Sequence, residues 1–503
     1  MVETETLDGT ARAAGTRDRV RRKLALAAIL VTTFMDYLDV SIVNVAVPDI
    51  QRELGASDAA AQWVAAGYTL PFALILITGG RLGDSLGRKR VFLTGVLGFT
   101  AASALCALAP TAGLLVGGRV LQGIAAALMI PQVFAMIQAL FPPSERAGAF
   151  SAFTVVTALA SVAGAPVGGF LVEADLWGLG WRSVFLLNLV IGVVAVAAVV
   201  AFVPETETAG GARLDLGGFV LVTLGLLMLV FPLVRGADAG WPGWSIGVLA
   251  AGVPVLVAFW YHERAMARRG RTPLVEPGLL RRRSFAAGVI AILAFFAGIN
   301  SFFFLFFGYL QEGLGFSALK ASLIVVVWPV AIAVTSLLTM RWVVRFGRSL
   351  PMAGMLLMAL STVGTMRVIT HAGGGFSGWE LTPSLFLTGV GMGLVAPVLL
   401  QSVLAGVPSE DAGSASGVLT STIQLGASIG VAVAGALYFS LLGTRSGIAG
   451  SASDVATALP GSQRAEVFTS AIADTLWYHV GLYLLTFVLL FLIPKTRKDG
   501  ENR

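Results

Sequence analysis

Three charged residues, Asp36, Asp39 and Arg119, stand in otherwise apolar stretches of this 503-residue sequence. Asp36 and Asp39 are three positions apart, a spacing that places both carboxylates on one face of a helix. At a rise of about 1.5 Å per residue, Asp39 lies roughly 12 Å and Arg119 roughly 10 Å from the outer ends of their predicted helices. Because these depths are similar, the three charges can share one cavity. Two neighbouring carboxylates in a low dielectric resist ionising together. The trio therefore predicts a proton-binding site, with a static buried ion pair as the alternative.

Uncharged polar and aromatic residues in the same stretches are candidates to line a substrate cavity. Predicted helix 2, at 59–79, combines polar and aromatic groups in Gln62, Trp63 and Tyr68. An aromatic belt at the membrane surface explains Trp63 equally well. The phenylalanines of predicted helix 9 cover all faces of that helix, so most of them face lipid or neighbouring helices. The predicted cavity residues are Asn44, Gln62, Trp63, Tyr68, Gln122 and Asn300.

A cluster of glycine and charged residues occupies positions 80–90, between predicted helices 2 and 3. Glycine permits a tight turn, and Asp84 can accept hydrogen bonds from the neighbouring arginines or from a helix N-terminus. Two interpretations remain open: a basic loop that only sets the orientation of the chain, or a latch that closes the inner side of the molecule. The candidate latch residues are Gly80, Asp84, Gly87, Arg88 and Lys89.

A segment rich in glycine and proline lies near the outer end of predicted helix 5, at positions 164–169. These residue types permit close helix packing and a bend, at some cost in helix stability. A bendable and closely packed helix is what two moving helical bundles need. The candidate residues of this segment are Gly164, Pro166, Gly168 and Gly169.

Signatures of several enzyme and metal sites are missing from the sequence. Cys106 is the only cysteine, which excludes a disulfide within the chain and a Cys-based metal site. His262, His371 and His479 are far apart and fit no metal-ligand spacing, so we predict no metal site. None of the five lysines follows a glycine, which excludes a P-loop and ATP-driven pumping by this chain. We therefore predict that the protein is not an enzyme.

The composition bounds the class of protein. Hydrophobic residues make up 56% of the chain and charged residues 12%, whereas an average soluble domain is about 25% charged. So few charges leave too little polar surface to solvate a soluble globular enzyme of this size. Disordered chains are excluded because they are poor in apolar residues. The composition predicts an all-α polytopic membrane protein.

Apolar runs of about 20 residues mark helices that can cross the hydrocarbon core of a membrane. We predict fourteen, and the first is too long for the apolar core of a signal peptide. With the N-terminus inside, 26 of the 34 Lys and Arg fall in inner segments and seven in outer loops, leaving Arg119 in a helix. This bias predicts that both termini are cytoplasmic, and it explains the net charge of +6 without nucleic acid. The predicted helices are 24–47, 59–79, 91–109, 112–140, 146–172, 183–203, 214–235, 243–262, 285–310, 319–342, 350–370, 380–405, 412–440 and 474–494.

The sequence also contains an internal duplication. The Arg-Gly-Arg trio after helix 2 recurs 260 residues later, segment 143–148 recurs in part 265 residues later, and Gly123 recurs 266 residues later. Repeats in register predict two related halves, helices 1–6 and 9–14, with helices 7 and 8 inserted between them. Parallel halves of this kind are a transporter architecture, with the substrate site near the midplane between them. The predicted division is 1–23 for the N-terminal tail, 24–203 for the first bundle, 204–284 for the linker with helices 7 and 8, 285–494 for the second bundle and 495–503 for the C-terminal tail.

Together these features resemble the major facilitator superfamily, and within it the fourteen-helix drug:proton antiporters. Positions 80–89 are similar to the superfamily's motif between helices 2 and 3. Residues 119–123 resemble its helix 4 motif, whose Arg is implicated in proton transfer, and residues 38–48 resemble the helix 1 motif of the fourteen-helix exporters. Two positions depart from the family pattern. In helix 5, Ala165 takes the place of a proline that follows one position late, and Asp36 stands where the family commonly has an apolar residue.

The resemblance implies a major-facilitator fold and a proton-coupled antiporter that exports drugs or antibiotics across the cytoplasmic membrane by alternating access, conferring resistance. In this hypothesis Asp39 binds the incoming proton, Arg119 tunes its affinity, and Asp36 is an additional proton or cation site. The proton gradient takes the place of a cofactor. The expected partners are membrane lipid, protons and a small amphipathic drug or antibiotic. A proton symporter that imports a small nutrient shares most of this architecture and is the first alternative; a membrane-bound receptor without transport is the second.

Overall fold

The computed structural model describes residues 2–492, except for 206–214, 239–241, 271–272, 276–277, 279–281, 373–376, 405–411 and 449–450. For residues 2–19 it describes the backbone alone. Within this described part the chain folds into helices without a β-strand, and fourteen helices are long and apolar enough to cross a membrane. The predicted all-α class and the predicted count of fourteen are confirmed. The C-terminal tail predicted at 495–503 lies outside the described residues.

The fourteen helices are numbered α1 to α14 in chain order. Two of them are irregular: α9 continues as a π-helical turn, Tyr309–Gly313, and α10 is interrupted at Val326. A short helix, Ala452–Ala458, lies between α13 and α14. The helices are α1 (Val2–Leu54), α2 (Asp58–Leu86), α3 (Arg88–Ala107), α4 (Ala112–Leu140), α5 (Pro143–Ala174), α6 (Arg182–Phe202), α7 (Leu216–Asp238), α8 (Gly243–Arg268), α9 (Arg283–Gly308), α10 (Ala318–Val325 and Val327–Phe346), α11 (Ser349–Ala372), α12 (Thr382–Leu404), α13 (Ala412–Ser446) and α14 (Gly461–Leu489).

Several helices extend beyond their predicted ends. Helix α1 continues to Leu54, where the prediction ended at 47, and α14 begins at Gly461, where the prediction began at 474. Hydropathy identifies only the part of a helix that can lie in hydrocarbon. Backbone hydrogen bonding continues past that part, because a helix satisfies its own N–H and C=O groups even where its side chains become polar.

The segment at positions 80–90 is almost entirely helical, which corrects the prediction of a loop. Helix α2 continues to Leu86 and α3 begins at Arg88, so Gly87 alone connects them. Gly87 has a φ of 101°, a conformation that glycine adopts far more readily than other residues. Glycine thus makes the predicted turn, and the charged residues around it lie on helix ends.

The two halves of the chain repeat one pattern of helix packing. Helix α1 packs against α5 and α6, α2 against α4, and α3 against α4 and α6. In the second half α9 packs against α13 and α14, α10 against α12, and α11 against α12 and α14. These pairings recur with a shift of eight helices, the shift expected for six-helix halves separated by two inserted helices. Between the halves, α2 packs against α13 and α5 against the first segment of α10.

One glycine of the duplicated sequence has the same packing role in both halves. A Cβ built on Gly123 would lie 2.2 Å from the Tyr68 carbonyl oxygen, and a Cβ on Gly389 would lie 2.5 Å from the Trp328 carbonyl oxygen. Both positions therefore exclude any side chain unless the helices separate. The absence of a side chain allows α4 to approach α2 and α12 to approach α10, as small residues do between membrane helices.

Candidate functional site

The centre of the candidate site is a buried ion pair between α1 and α4. Arg119 Nη1 lies 2.5 Å from Asp39 Oδ2, and the two side chains are 2% and 0% exposed. Asp39 Oδ1 accepts a hydrogen bond of 2.5 Å from Asn188 Nδ2 and a longer one of 3.4 Å from Gln122 Nε2. Arg119 also donates to the Val64 carbonyl oxygen at 3.0 Å. The carboxylate and the guanidinium are therefore both paired and hydrogen-bonded, which is how a protein offsets the cost of burying charge.

Four helices contribute groups to this ion pair, and a fifth, α3, is linked to it through Gln122. Asp39 belongs to α1, Val64 to α2, Arg119 and Gln122 to α4, and Asn188 to α6. Gln122 accepts from Arg119 Nη1 at 2.8 Å, and it donates at 2.8 Å to the hydroxyl of Ser103 on α3. Asp39 is thus linked, directly or through Arg119 and Gln122, to four other helices of the first half.

The second carboxylate, Asp36, has a different partner. It is 3% exposed and accepts a hydrogen bond of 2.5 Å from the hydroxyl of Tyr68 on α2. The Arg119 guanidinium lies over the Tyr68 ring, 4.6 Å from its centre. Tyr68 therefore stands between Asp36 and the Asp39–Arg119 pair. The structure brings the three predicted charges to one place, with Arg119 bonded to Asp39 and linked to Asp36 through the tyrosine.

A small cavity adjoins this cluster at the interface of the two halves. Its volume, counted as the space open to the centre of a water molecule, is about 20 Å³. In this conformation it has room for about one water molecule and is too small for a drug-sized molecule. Helices α1, α2 and α4 of the first half and α9 and α13 of the second line it. Its lining residues are Val40, Val43, Asn44, Ala65, Tyr68, Thr69, Arg119, Asn300, Ala427 and Val431.

The six predicted cavity residues fall into two groups. Asn44, Tyr68 and Asn300 line the cavity. The others lie nearby: Gln122 belongs to the ion-pair network, and Trp63 packs against Phe231 of α7, with ring centres 6.3 Å apart. Gln62 is fully buried against α13, where its amide nitrogen and oxygen have no hydrogen-bond partner. These last two residues lie at contacts between α2 and neighbouring helices.

The predicted latch residues lie around the α2–α3 connection. Arg88 Nη1 donates to the Ala135 carbonyl oxygen at 3.2 Å, and Lys89 Nζ donates to the Val200 carbonyl oxygen at 3.3 Å. Both acceptors belong to the first half. Gly80 lies in the last two turns of α2 and Gly87 forms the turn. The side chain of Asp84 lies outside the described residues.

The predicted helix 5 motif lies where α5 meets two other helices. Cβ atoms built on Gly164 and Gly168 would lie 2.4 Å and 2.7 Å from side-chain atoms of α1. A Cβ on Gly169 would lie 2.6 Å from the hydroxyl oxygen of Ser322, on α10 of the other half. Pro166 lies inside the continuous helix α5. The motif therefore permits close packing within the first half and across the interface between the halves.

Comparison with known proteins identifies the family. The family model described as the Major Facilitator Superfamily matches residues 29–431. The chain belongs to the Major Facilitator Superfamily. It is therefore a multi-pass membrane transporter and not an enzyme, as predicted.

Two relatives and one solved structure illustrate the similarity of this superfamily member to known proteins. It is 45% identical to the probable actinorhodin transporter of Streptomyces coelicolor, over 87% of this chain and 76% of that one. It is 32% identical to the puromycin resistance protein of Streptomyces alboniger, over 96% and 93% of the two chains. The inward-facing, unoccupied structure of a bacterial homologue of the human lysosomal transporter Spinster shares the fold, with a TM-score of 0.65, 16% identity and coverage of 94% and 98%.

One polar contact between the halves was not predicted from the sequence. It lies at the end of the transporter where α1 meets α2, and we call this end the gate end. Arg52 of α1 donates to Glu312, in the π-helical turn after α9, with 3.1 Å between Nε and Oε1. Arg52 also pairs with Asp49 at 2.5 Å. Gln311 Nε2 donates to the Val45 carbonyl oxygen at 3.0 Å. These bonds join helices that occupy equivalent places in the two halves.

A second set of bonds crosses between the halves at the gate end. Asp58, the first residue of α2, accepts from Gln51 Nε2 at 3.0 Å and from the backbone N–H of Ala452 at 2.9 Å. Glu173 of α5 accepts from the backbone N–H of Leu319 at 3.3 Å. The halves are thus held together at the gate end. The sequence signal for this contact is weak, because these charges lie at helix ends where polar residues are common.

Proposed function

We propose that this superfamily member exports amphipathic drugs or antibiotics in exchange for protons by alternating access, and thereby confers resistance on its host. The observation that carries the proposal is the buried Asp39–Arg119 pair beside a cavity between the halves. The names of the relatives, a probable actinorhodin transporter and a puromycin resistance protein, support antibiotics as the substrate class. The chain lies in the cytoplasmic membrane with both termini in the cytoplasm, since its Lys and Arg are concentrated on that side.

Proton binding at Asp39 changes the balance of the network around it. Neutral Asp39 no longer attracts the guanidinium of Arg119, which keeps its hydrogen bonds to the Val64 carbonyl oxygen and to Gln122. Arg119 already borders the cavity. Once Asp39 is neutral, the positive charge of Arg119 is no longer balanced and acts on the substrate in the cavity. A cationic or amphipathic drug is expelled as the proton binds, and the drug's binding favours the ionised acid in return.

Asp36 supplies a second acidic group beside the same cavity. Its hydrogen-bond donor, Tyr68, lines the cavity. A drug that bonds to the Tyr68 hydroxyl competes with Asp36 for it, and a cationic drug is attracted by the carboxylate. Asp36 therefore acts as the additional proton or cation site, with Tyr68 as its contact to the substrate.

Alternating access requires the gate end to separate while the opposite end closes. In the present conformation the Arg52–Glu312 pair and the Asp58–Ala452 bond join the halves at the gate end. Opening towards the outside breaks these bonds and exposes the cavity. We assign positions 80–89, which are the end of α2, the turn at Gly87 and the start of α3, to the latch at the cytoplasmic end. The transporter needs the proton gradient and no cofactor.

The first test is a resistance panel in a sensitised host, with and without this chain. The panel identifies antibiotics and dyes that the chain removes. The best substrate is then measured in proteoliposomes that contain the purified full-length protein and a pH-sensitive dye. Export in exchange for protons predicts that an imposed proton gradient drives substrate movement against the direction of proton flow. Movement of substrate and protons in the same direction would instead identify the nutrient symporter.

The variant Asp39→Asn tests the role of the ion pair. Asparagine keeps the shape of neutral Asp39 but cannot exchange a proton, so we expect proton-driven transport to fall to the level of empty vesicles and substrate binding to weaken while the protein remains folded. Glu466→Gln is the matched control, because it removes an exposed carboxylate on α14 and is expected to leave transport unchanged. Undiminished proton-driven transport by Asp39→Asn would contradict the assignment.

A further inference from the structure

Three metal-ligating side chains meet on the inserted helices α7 and α8. Asp215 immediately precedes α7, and His262 and Glu263 lie in the last two turns of α8. A carboxylate oxygen from each acid and a ring nitrogen of the histidine all lie within 4.8 Å of one another. Glu263 is fully buried and Asp215 is 7% exposed. Sequence spacing indicates no such site, because Asp215 and His262 are 47 residues apart.

Each of the two carboxylates keeps one buried oxygen without a hydrogen-bond donor. Asp215 Oδ1 accepts from the Gly218 N–H at 2.9 Å and lies 2.9 Å from His262 Nε2. Glu263 Oε2 accepts from the Val275 N–H at 2.8 Å. The remaining oxygens, Asp215 Oδ2 and Glu263 Oε1, are buried and receive no hydrogen bond from any other residue, and the two carboxylates are close enough to share a proton. Because buried anionic oxygens are costly without a compensating group, a proton or a cation belongs beside them.

Two glycines at the start of α7 leave space between these groups. A Cβ built on Gly218 would lie 2.4 Å from Glu263 Oε1 and 2.5 Å from Asp215 Oδ2. A Cβ on Gly217 would lie 2.9 Å from the Cε1 atom of His262. The two unpartnered oxygens therefore border the space beside Gly218, and the imidazole borders the neighbouring space beside Gly217. Ligand bonds to zinc are about 2.0–2.2 Å long for carboxylate oxygen and imidazole nitrogen, so a space of this size suits a single ion.

We propose that Asp215, His262 and Glu263 bind one divalent first-row transition-metal ion. An imidazole nitrogen with two carboxylate oxygens is a ligand set that Zn²⁺ accepts, whereas Mg²⁺ and Ca²⁺ prefer oxygen ligands alone. When the ion binds, His262 Nε2 exchanges its contact with Asp215 for the metal, so the histidine must be neutral. Two carboxylates and a divalent cation leave no net charge in the buried site.

The ion would hold the inserted helices in a fixed arrangement. It connects the start of α7 to the end of α8, and the Glu263–Val275 hydrogen bond adds the segment that follows α8. Helix α7 packs against α2 and α13, which border the central cavity. The competing occupant is a proton shared by Asp215 and Glu263, which would leave the imidazole with no ligand role.

The proposal is tested with the purified full-length chain in lipid nanodiscs. The protein is treated with a chelator and then titrated with Zn²⁺ at neutral pH by isothermal titration calorimetry. We expect one ion per chain and a rise in the thermal unfolding temperature. Gly218→Ala, which places a methyl group between the two free oxygens, and Glu263→Gln should each weaken binding about tenfold or more. X-ray absorption at the zinc edge should show one imidazole with oxygen ligands.

Two control variants separate this site from incidental binding. His371→Asn removes an exposed histidine at the end of α11, and Gly243→Ala adds a methyl group where nothing lies within 4 Å. Both should bind Zn²⁺ like the parent protein. Equal affinity in the parent, Gly218→Ala and Glu263→Gln proteins would overturn the proposal. A second outcome would also overturn it: no stoichiometric Zn²⁺ binding, and an unfolding temperature that responds to pH and not to Zn²⁺. That outcome would identify a proton shared by Asp215 and Glu263. Because neither readout uses transport, the result is independent of the proposed export function.

Discussion

At the scale of single residues, Asp39 receives hydrogen bonds from donors on two other helices, α4 and α6. Arg119 neutralises its charge, while Asn188 contributes a bond of 2.5 Å without adding charge. A hydrogen bond to a charged group contributes about 1.5–3 kcal/mol to stability, more than one between neutral groups. Asn188 should therefore stabilise the ionised form of Asp39 specifically.

A double-mutant cycle tests this role of Asn188. We expect Asn188→Ala to lower the thermal unfolding temperature of the parent protein, because Asp39 loses a donor. The same substitution should have a smaller effect in the Asp39→Asn background, where the acceptor is neutral. The Asn188 carbonyl oxygen has no hydrogen-bond partner in the parent protein, so Asn188→Ala removes no other hydrogen bond there. Additive effects in thermal unfolding would show that Asn188 does not act through the carboxylate.

The sequence allows only part of this site to be predicted. The depths of Asp39 and Arg119 in their helices are sufficient to place both charges at one level, and the structure brings them into contact. The partners Asn188 and Tyr68 depend on how α6 and α2 are rotated about their axes. That rotation results from packing against several neighbours at once, so hydropathy along one helix does not determine it.

At the scale of helices, the π-helical turn after α9 positions two residues at the gate end. Gln311 donates to α1 and Glu312 accepts from Arg52. A π-helical turn adds a residue to the helix and is frequent at functional sites. The prediction of α9 ended at 310, just before this pair, because hydropathy falls where the polar residues begin. The count of fourteen helices was thus predictable, while the residues that join the helix ends were not.

Removing the Arg52–Glu312 ion pair should shift the gate end towards its open form. Glu312→Gln keeps the side-chain shape but removes the charge that Arg52 contacts. A partly exposed pair of this kind contributes about 1 kcal/mol, which is about fivefold in the ratio of open to closed forms. The measurement is a spin-label distance across the halves, between Leu108→Cys and Ser462→Cys in a Cys106→Ala background.

The ion pair between Arg445 and Asp474 provides the control for this experiment. It joins α13 and α14 within the second half, so Asp474→Asn should leave the distance between the labels unchanged. An unchanged distribution in Glu312→Gln, or an equal shift in both variants, would exclude Arg52–Glu312 as a gate contact.

At the scale of the whole molecule, the duplicated sequence accounts for both halves and for the contacts between them. The α2–α13 contact pairs the second helix of the first half with the fifth helix of the second half. The α5–α10 contact pairs the fifth helix of the first half with the second helix of the second half, so the two contacts are equivalent. The repeat therefore predicts that each such contact between the halves has an equivalent counterpart. It does not predict how closely they approach, because that depends on single small residues such as Gly169.

Gly169 provides a test of whether the approach of the halves controls access. Alanine there would place its Cβ 2.6 Å from the Ser322 hydroxyl oxygen and 2.7 Å from the Ala318 carbonyl oxygen. Because a backbone atom cannot rotate away, α5 and α10 must separate. Gly169→Ala should therefore increase the fraction of long distances between labels at 108 and 462, and slow proton-driven transport if closure of the gate end is part of the cycle.

The contrasting variant is Gly164→Ala on the same helix. Its Cβ would lie 2.4 Å from the Ser41 Cβ on α1, which is a contact inside the first half. We expect it to lower the thermal unfolding temperature without moving the labels apart, because the halves need not separate to relieve the clash. If both alanine variants lowered stability alike and neither changed the label distances, α5 would act as an ordinary packed helix. The difference between the two glycines therefore tests whether motion between the halves depends on one close contact across their interface.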